Sequence, residues 1–347
     1  MSSAAPNPQR LTPPALQNAV PLPANFNPDL TLCGGQAFRW VKSPTQPTYQ
    51  GVIGEQVVNV SQTSSGGWYA YPLTCPLTAT LRQQLWDYFD LDRDYVSLHH
   101  LLVERLTSLQ EHYRQHFQRS PWYTLQPPPP TSPFANLSTL LSQLAGLRLL
   151  RQPWFEVMVS FVVSANNHLP RIRQIISIIS RTFGQPISPT AAAFPTPAAL
   201  ATATPTTLRH VCRVGYRDRY LYHLARHIAR HLPFWETAAS LPTPALRHHL
   251  LTLPGVGPKV AECILLFGFH RWEAFPIDVW VRRALLLLLG WPPPPAPQPT
   301  NRYLAALAAD AFGPCAGLAQ QYLFEIARHH LPPKQKTSPK SSPPLKS

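Results

Sequence analysis

The chain has 347 residues, 44% of them hydrophobic and 13% charged, which is enough for a buried core in one large or two to three smaller domains. A formal charge of +14, from 30 Lys and Arg against 16 Asp and Glu, points to a polyanionic partner, nucleic acid first. The five cysteines are scattered, odd in number and never spaced as ligands, which excludes a disulfide framework and a zinc or iron-sulfur site, and no apolar run is long enough to span a bilayer.

Residues 1–22 are rich in Pro, Ala, Asn and Ser and read as a disordered leader. From Phe26 to about Leu73 the apolar period shortens, and TLCGGQAFRW, TYQGVIG, EQVVNVSQ and GWYAYPL read as short strands of an antiparallel sheet. Helices are expected over 81–89 and 98–117, followed by a Pro-rich insert at 127–133 that receives no role. From Leu137 the pattern is helical, with helices over 153–164, 171–183, 206–212 and 218–231 and a Pro, Ala and Thr-rich connection at 186–205. The expected domains are therefore 23–136, a sheet with helices, and 137–331, all helical, before a disordered basic tail at 332–347.

The stretch 243–289 carries the chemistry. Thr243 can cap a helix that opens at Pro244, spaces Leu246, Leu250 and Leu253 helically, and stops at Pro254. Gly255, Val256 and Gly257 reverse the chain, and Pro258 opens a second helix to about Phe269, so 243–269 reads as helix, hairpin and helix. Two glycines let a partner approach, and the first N–H groups of the second helix have no intrahelical acceptor, which suits a phosphate at Gly255, Gly257 and Val260. Lys259, Cys263 and Phe267 share one face of that helix, while Val260, Ile264 and Gly268 form an apolar face that packs inward. Asp278, after Pro276 and Ile277, falls at the cap of a helix opening at Val279. Lys259 is the sole lysine between Lys42 and Lys334, a region rich in arginine; arginine keeps its proton, so a lysine there is what amine chemistry requires.

This constellation resembles the helix-hairpin-helix DNA glycosylases, with a hairpin of the LPGVG type, a lysine just after it and an aspartate after a downstream proline. Lys259 and Asp278 are 19 residues apart, as in the bifunctional members. From about Asn25 to Leu331 the chain is more specifically similar to the bifunctional 8-oxoguanine DNA glycosylases, on LCGGQAFRW (Leu32 to Trp40), SFVVSANNHLPRI (Ser160 to Ile172), VGYRDRY (Val214 to Tyr220) and GLAQQYLF (Gly317 to Phe324). The fold this implies is α+β: an N-terminal antiparallel sheet domain, then two helical subdomains with the active site in the cleft beside the hairpin.

The resemblance also implies roles. A glycosylase that extrudes a base must fill the gap, hold the orphaned partner and pocket the extruded base. Tyr216 matches the wedge, and Asn166, Arg171 and Arg217 match the contacts to the widowed cytosine. The Gly35 carbonyl would accept from N7–H of 8-oxoguanine, a donor that guanine lacks; Gln320 would bond the Watson-Crick edge, and Phe324 and Cys263 would sandwich the ring. Phe267 replaces the family's pocket methionine, and Trp280 replaces a histidine two residues after the aspartate. The implied chemistry is attack of neutral Lys259 on the sugar C1′, a Schiff base and β-elimination, with Asp278 capping its helix, orienting the lysine and stabilising positive charge on the sugar. No cofactor or metal is expected, the partner is double-stranded DNA with an oxidised purine, and the protein is expected to be a monomer in an intracellular compartment with DNA. Two alternatives stay open: a monofunctional alkylpurine glycosylase, which uses the aspartate and a water and typically lacks the lysine, and a noncatalytic hairpin module that only clamps phosphate.

Overall fold

Short strands separated by turns build the sheet. In the computed structural model, which describes residues 17–117, 137–289, 291 and 300–331, five strands pair antiparallel in the order β1-β5-β4-β3-β2. After β1 (Val20–Pro21) come α1 (Pro28–Cys33), β2 (Val41–Lys42), β3 (Thr48–Ile53), β4 (Gln56–Gln62) and β5 (Trp68–Pro72). Tyr49, Gly51 and Ile53 of β3 point inward, and the register sets Tyr49 opposite Val60 and Val52 opposite Val57. Gly51 makes room for Trp40, since a Cβ there would lie 2.4 Å from the indole.

Two expectations fail in this region. Val20, expected in the leader, is fully buried and pairs with Ala70 of β5. TLCGGQAFRW is not a strand. Asn27 caps α1 by accepting from Leu30 N–H at 3.2 Å, and Pro28 supplies the preset first turn, so Thr31 to Cys33 are helical. Beyond them, Gln36 fixes the path: its Nε2 donates to the carbonyls of Thr31 (3.0 Å) and Arg148 (2.7 Å), while its Oε1 accepts from Leu150 N–H at 2.9 Å. The insert 127–133, the tail 332–347 and residues 1–16 of the leader lie outside the described residues.

Helices follow the sheet: α2 (Ala79–Tyr88), α3 (Tyr95–Phe117), α4 (Leu137–Ser142), α5 (Trp154–Ser164) and α6 (Leu169–Phe183). A short ribbon, β6 (Pro186–Ser188) with β7 (Ala191–Ala192), and α7 (Pro197–Ala201) occupy the Pro-rich connection. Then come α8 (Asp218–Arg230), α9 (Leu232–Thr237), α10 (Thr243–Leu251), α11 (Pro258–Cys263), α12 (Val279–Leu287), α13 (Thr300–Phe312) and α14 (Ala316–His330). The helix expected at 206–212 is present, opening at 205–206 and continuing as a π-helical turn, Thr207–Val211, that ends at Cys212. One apolar cluster backs the sheet with Val20, Trp40, Val58 and Phe89, and a larger one fills the helical part. Tyr95, Leu102 and Leu106 of α3 belong to the larger cluster, so α3 packs with the helices that follow rather than with the sheet. Among the described residues no helix is long and apolar enough to cross a membrane.

Asp90 joins the two parts. It has a positive φ of 51°, tolerated best by Asn and Asp, and its fully buried carboxylate accepts from Arg93 Nε (2.9 Å), Tyr95 Oη (2.9 Å) and Arg151 Nη2 (2.7 Å). Burial would raise its pKa; His270, Tyr95 and Arg93 outweigh burial and hold the carboxyl well below the usual carboxylate range. A depressed carboxyl stabilises the fold above its unfolded pKa and loses that contribution as pH falls. Urea unfolding should therefore show stability declining below about pH 4 in the wild type. Asp90→Asn, which keeps the backbone preference, should flatten that decline and cost roughly 2–3 kcal/mol at neutral pH; an unchanged acid slope would contradict the assignment.

Candidate active site

The hairpin forms as the glycines require. Gly255 has a φ of 79°, and a Cβ there would stand 2.9 Å from Tyr220 Cβ, whereas a Cβ on Gly257 would meet nothing within 4 Å. One glycine is packed and the other faces open space. Thr243 is not the cap: α10 begins at it, and its hydroxyl donates to Glu273 across to the next connection instead. The second helix is α-helical only through Cys263 and continues as a π-helical turn, Ile264–Gly268. Val260 and Ile264 are buried as expected.

A carboxylate locks this unit. Glu262 accepts from Arg247 Nε of α10 at 2.5 Å and from Phe275 N–H at 3.1 Å, joining both hairpin helices to the segment that delivers Asp278. Asp278 caps α12, accepting from Val281 N–H at 2.8 Å. Burial pushes its carboxyl up, opposed by the Val281 N–H and the Lys259 ammonium. Lys259 is half-buried with its Nζ 5.0 Å above the Phe161 ring. Among the described residues no ion pair engages it. Cys263 is buried, and desolvation raises its thiol to about 11 although Lys259 works against that. Phe267 stacks on Phe161 at 5.3 Å and is also buried.

The pocket residues come from three distant segments. Gly35 has a φ of 93°, and a Cβ on it would lie 3.2 Å from Leu169 and 3.4 Å from the Phe324 ring, so Gly35 and Phe324 are neighbours. Gln320, one turn earlier on α14, is 4% exposed and its Oε1 has no partner. Phe38, three residues after Gly35, packs edge-on at 5.5 Å against Phe161, the ring under Lys259. Leu169 and Phe161 were not singled out in the sequence, where each is one apolar residue among many.

On the hairpin side lies a groove of about 400 Å³, lined by Ala165, Tyr216, Tyr220, Gly255 and Gly257 among others. Tyr216 is 54% exposed and its hydroxyl lies 3.3 Å from Asn166 Nδ2, while Asn166 has a φ of 52°. Arg171 donates to Gln174 Oε1 and to the Arg213 carbonyl, both at 3.1 Å. Arg217 differs from the expectation of an open donor. It is buried, and its guanidinium donates to the carbonyls of Ala165 and Val214, fixing the loop that carries Asn166 against the turn that carries Tyr216. Trp280 is partly buried against the core with Arg283 at 5.3 Å from its ring. No three His, Cys, Asp or Glu among the described residues form a group that could hold a metal.

Comparison with known proteins gives the same outline. Residues 19–158 match the family described as "8-oxoguanine DNA glycosylase, N-terminal domain", and residues 159–309 match "HhH-GPD superfamily base excision DNA repair protein". A probable N-glycosylase/DNA lyase of Methanothermobacter thermautotrophicus is 34% identical over 215 residues, covering 56% of this chain and 67% of that protein. The N-glycosylase/DNA lyase of Saccharomyces cerevisiae is 30% identical across 73% of this chain and 65% of its own length. Among solved structures, the Clostridium acetobutylicum 8-oxoguanine glycosylase/lyase in complex with double-stranded DNA containing cytosine opposite 8-oxoguanine superposes with a TM-score of 0.68. It is 29% identical, and the match covers 88% of this chain and 92% of that one.

The site's burial makes one prediction about reactivity. At pH 8 iodoacetamide should alkylate the more accessible Cys75 while Cys263 stays unmodified in the folded protein, because its buried thiol keeps its proton. Peptide mapping that finds both modified at similar rates would contradict the buried placement.

Proposed function

The chain belongs to the 8-oxoguanine DNA glycosylases of the helix-hairpin-helix (HhH-GPD) superfamily and is a base excision repair N-glycosylase and DNA lyase, and we propose that it excises 8-oxoguanine paired with cytosine by way of Lys259 and Asp278. What supports this is the position of Lys259: the sole lysine from 43 to 333, half-buried above an aromatic ring beside the hairpin, with a capped carboxylate in its field. In the reaction the neutral Nζ lone pair forms a bond to C1′ as the bond from C1′ to the base breaks. The sugar ring opens to a Schiff base, loss of a C2′ proton expels the 3′ phosphate, and water then releases the lysine. Asp278, held by the Val281 N–H, stays oriented while positive charge develops on the sugar.

Recognition falls to the pocket. The unpartnered Gln320 Oε1 is a buried acceptor, an arrangement that costs about 1–3 kcal/mol until a donor arrives, and the N–H groups on the Watson-Crick edge of a purine are such donors. Gly35 lies against Phe324 with no side chain of its own in the way, and its carbonyl is the acceptor assigned to N7–H of 8-oxoguanine. Tyr216 serves as the wedge, and Asn166 and Arg171 serve the widowed cytosine. Arg217 reaches that base only by exchanging its carbonyl partners. Cys263 and Phe324 close on the ring, with Phe267 behind, and the first N–H groups of α11 with Gly255 and Gly257 take the phosphates. The enzyme acts as a monomer where the cell keeps its DNA.

The experiment is single-turnover excision on a duplex with one 8-oxoguanine opposite each of the four bases. Wild type should release the free base and cut the strand, fastest opposite cytosine. Lys259→Gln should bind but lose both steps by at least about 10³-fold, and Asp278→Asn should be slowed by about 10²-fold. Arg171→Ala should erode the preference for cytosine more than the rate itself. Full activity in Lys259→Gln would remove the amine mechanism and leave the water-based alkylpurine type of chemistry.

A further inference from the structure

Base excision as described leaves one face of α8 unused. The inner face is apolar, with Leu221, Leu224, Ala225 and Ile228 buried. The outer face carries His223, Arg226, His227 and Arg230, and His231 follows at its end, spaced three and four apart in a single stripe. The His227 and His231 rings are 4.7 Å apart, and Arg226 lies 4.3 Å over Tyr222. Together with Pro254 they line a surface cleft of about 460 Å³ that no carboxylate enters. Pro254 precedes Gly255, so the cleft adjoins the hairpin groove.

Solvated helix faces usually mix signs, because like charges four apart repel. This stripe has no relief. The only acid on α8, Asp218, sits at its start and is paired with Arg209 at 2.7 Å. Glu236 of α9 and His248 and His249 of α10 are on flanking helices, but none lines the cleft, and His249 packs on Phe234 at 4.9 Å. Desolvation, with the charges of His231 and Arg230, pushes His227 below the ordinary histidine pKa. A metal does not account for the stripe, since no three ligating side chains there form a group that could hold one.

We propose that this cleft is a second phosphate site for DNA, gripping the strand beyond the hairpin and tightening as its histidines protonate. The inference rests on the glycosylase reading only in taking DNA as the ligand. A strand lying on the hairpin presents a phosphate about every 3.4 Å along the helix axis, so continuing past Pro254 it meets Arg226, Arg230 and the three imidazoles. Guanidinium takes phosphate bidentately, and imidazolium donates from both nitrogens. An anion beside an imidazole favours its protonated form, so binding takes up protons and strengthens as pH falls from about 8 to about 6.

The test uses the full chain and an undamaged duplex reaching about ten base pairs beyond the hairpin on each side, with anisotropy measured over a salt series at pH 6 and pH 8. Wild type should bind more tightly at pH 6 and with a steeper salt slope. The triple variant His223→Gln, His227→Gln, His231→Gln should keep its pH 8 affinity and lose most of the gain at pH 6. Arg230→Gln, at an exposed position that leaves the fold alone, should lower the log-log salt slope by about 0.9. A triple variant that keeps the whole pH gain, or an Arg230→Gln slope equal to wild type, overturns the proposal. Base release from a lesion duplex at low salt separates the two readings: if it persists, the glycosylase assignment stands whatever the footprint shows, and if wild type releases no base, that assignment fails independently.

Discussion

Glu262 sets the distance across the active site. Its carboxylate holds Arg247 on the first hairpin helix at 2.5 Å and the Phe275 N–H at 3.1 Å, so one side chain anchors both arms of the hairpin and the segment leading to Asp278. Lys259 lies three residues before Glu262 on the same short helix, and Asp278 lies three residues after Phe275. The spacing of amine and carboxylate therefore comes from backbone tied at one point and from the Val281 N–H cap, with no direct ion pair between them. This has a chemical consequence. The carboxylate, held off by its own cap, makes no ion pair with the amine and still acts on charge developing in the sugar.

The sheet and the first helices bring a second constraint to the same place. Gln36 satisfies its side chain with Thr31, Arg148 and Leu150, and its own carbonyl accepts from Gln152 Nε2 at 2.7 Å, which pins the preceding glycine. Arg173 of α6 donates to the Cys33 carbonyl at 2.9 Å from the other side. Gly35 is thus held against Leu169 and Phe324 by bonds that Gly35 itself does not make, and Asp90 fastens the whole arrangement to the helical part. On α14, Glu325 shows how tight this corner is: its Oε1 would lie 2.7 Å from a Cβ on Gly34, and burial raises its carboxyl to about 7 against the pull of Arg328.

Much of this was legible in the sequence where a residue type is forced. Gly255 at a positive φ, Pro258 at a helix start and Asp278 before an apolar helix each have one backbone role, and each plays it. The strands at 48–72 were legible from short runs of β-branched and aromatic residues between Gly, Pro and Ser turns; burial alternates in β3 and β5, while β4 buries Val57 with Val58 and Val60 with Ser61. TLCGGQAFRW was misread because its path is set by side-chain bonds from Gln36 to residues more than a hundred positions away, which no local period records. The helix at 206–212 was legible from its apolar spacing, but nothing in that spacing records that most of it winds as a π turn, Thr207–Val211. Arg217, matched in the sequence to a contact with the widowed cytosine, is buried on carbonyls that no local pattern records, and the Arg247 to Glu262 clamp spans 15 residues across a turn, beyond helical spacing.

The most direct measurement is chemical trapping. A Schiff base between an enzyme amine and an opened sugar is reduced by borohydride to a stable secondary amine, while hydrolysis by water leaves nothing to reduce. Incubating the protein with a duplex carrying 8-oxoguanine opposite cytosine in the presence of borohydride should give a one-to-one covalent protein–DNA adduct. Peptide mass spectrometry should place that adduct on Lys259. Release of the free base without an adduct, or an adduct mapped to another amine, would contradict the account of this site.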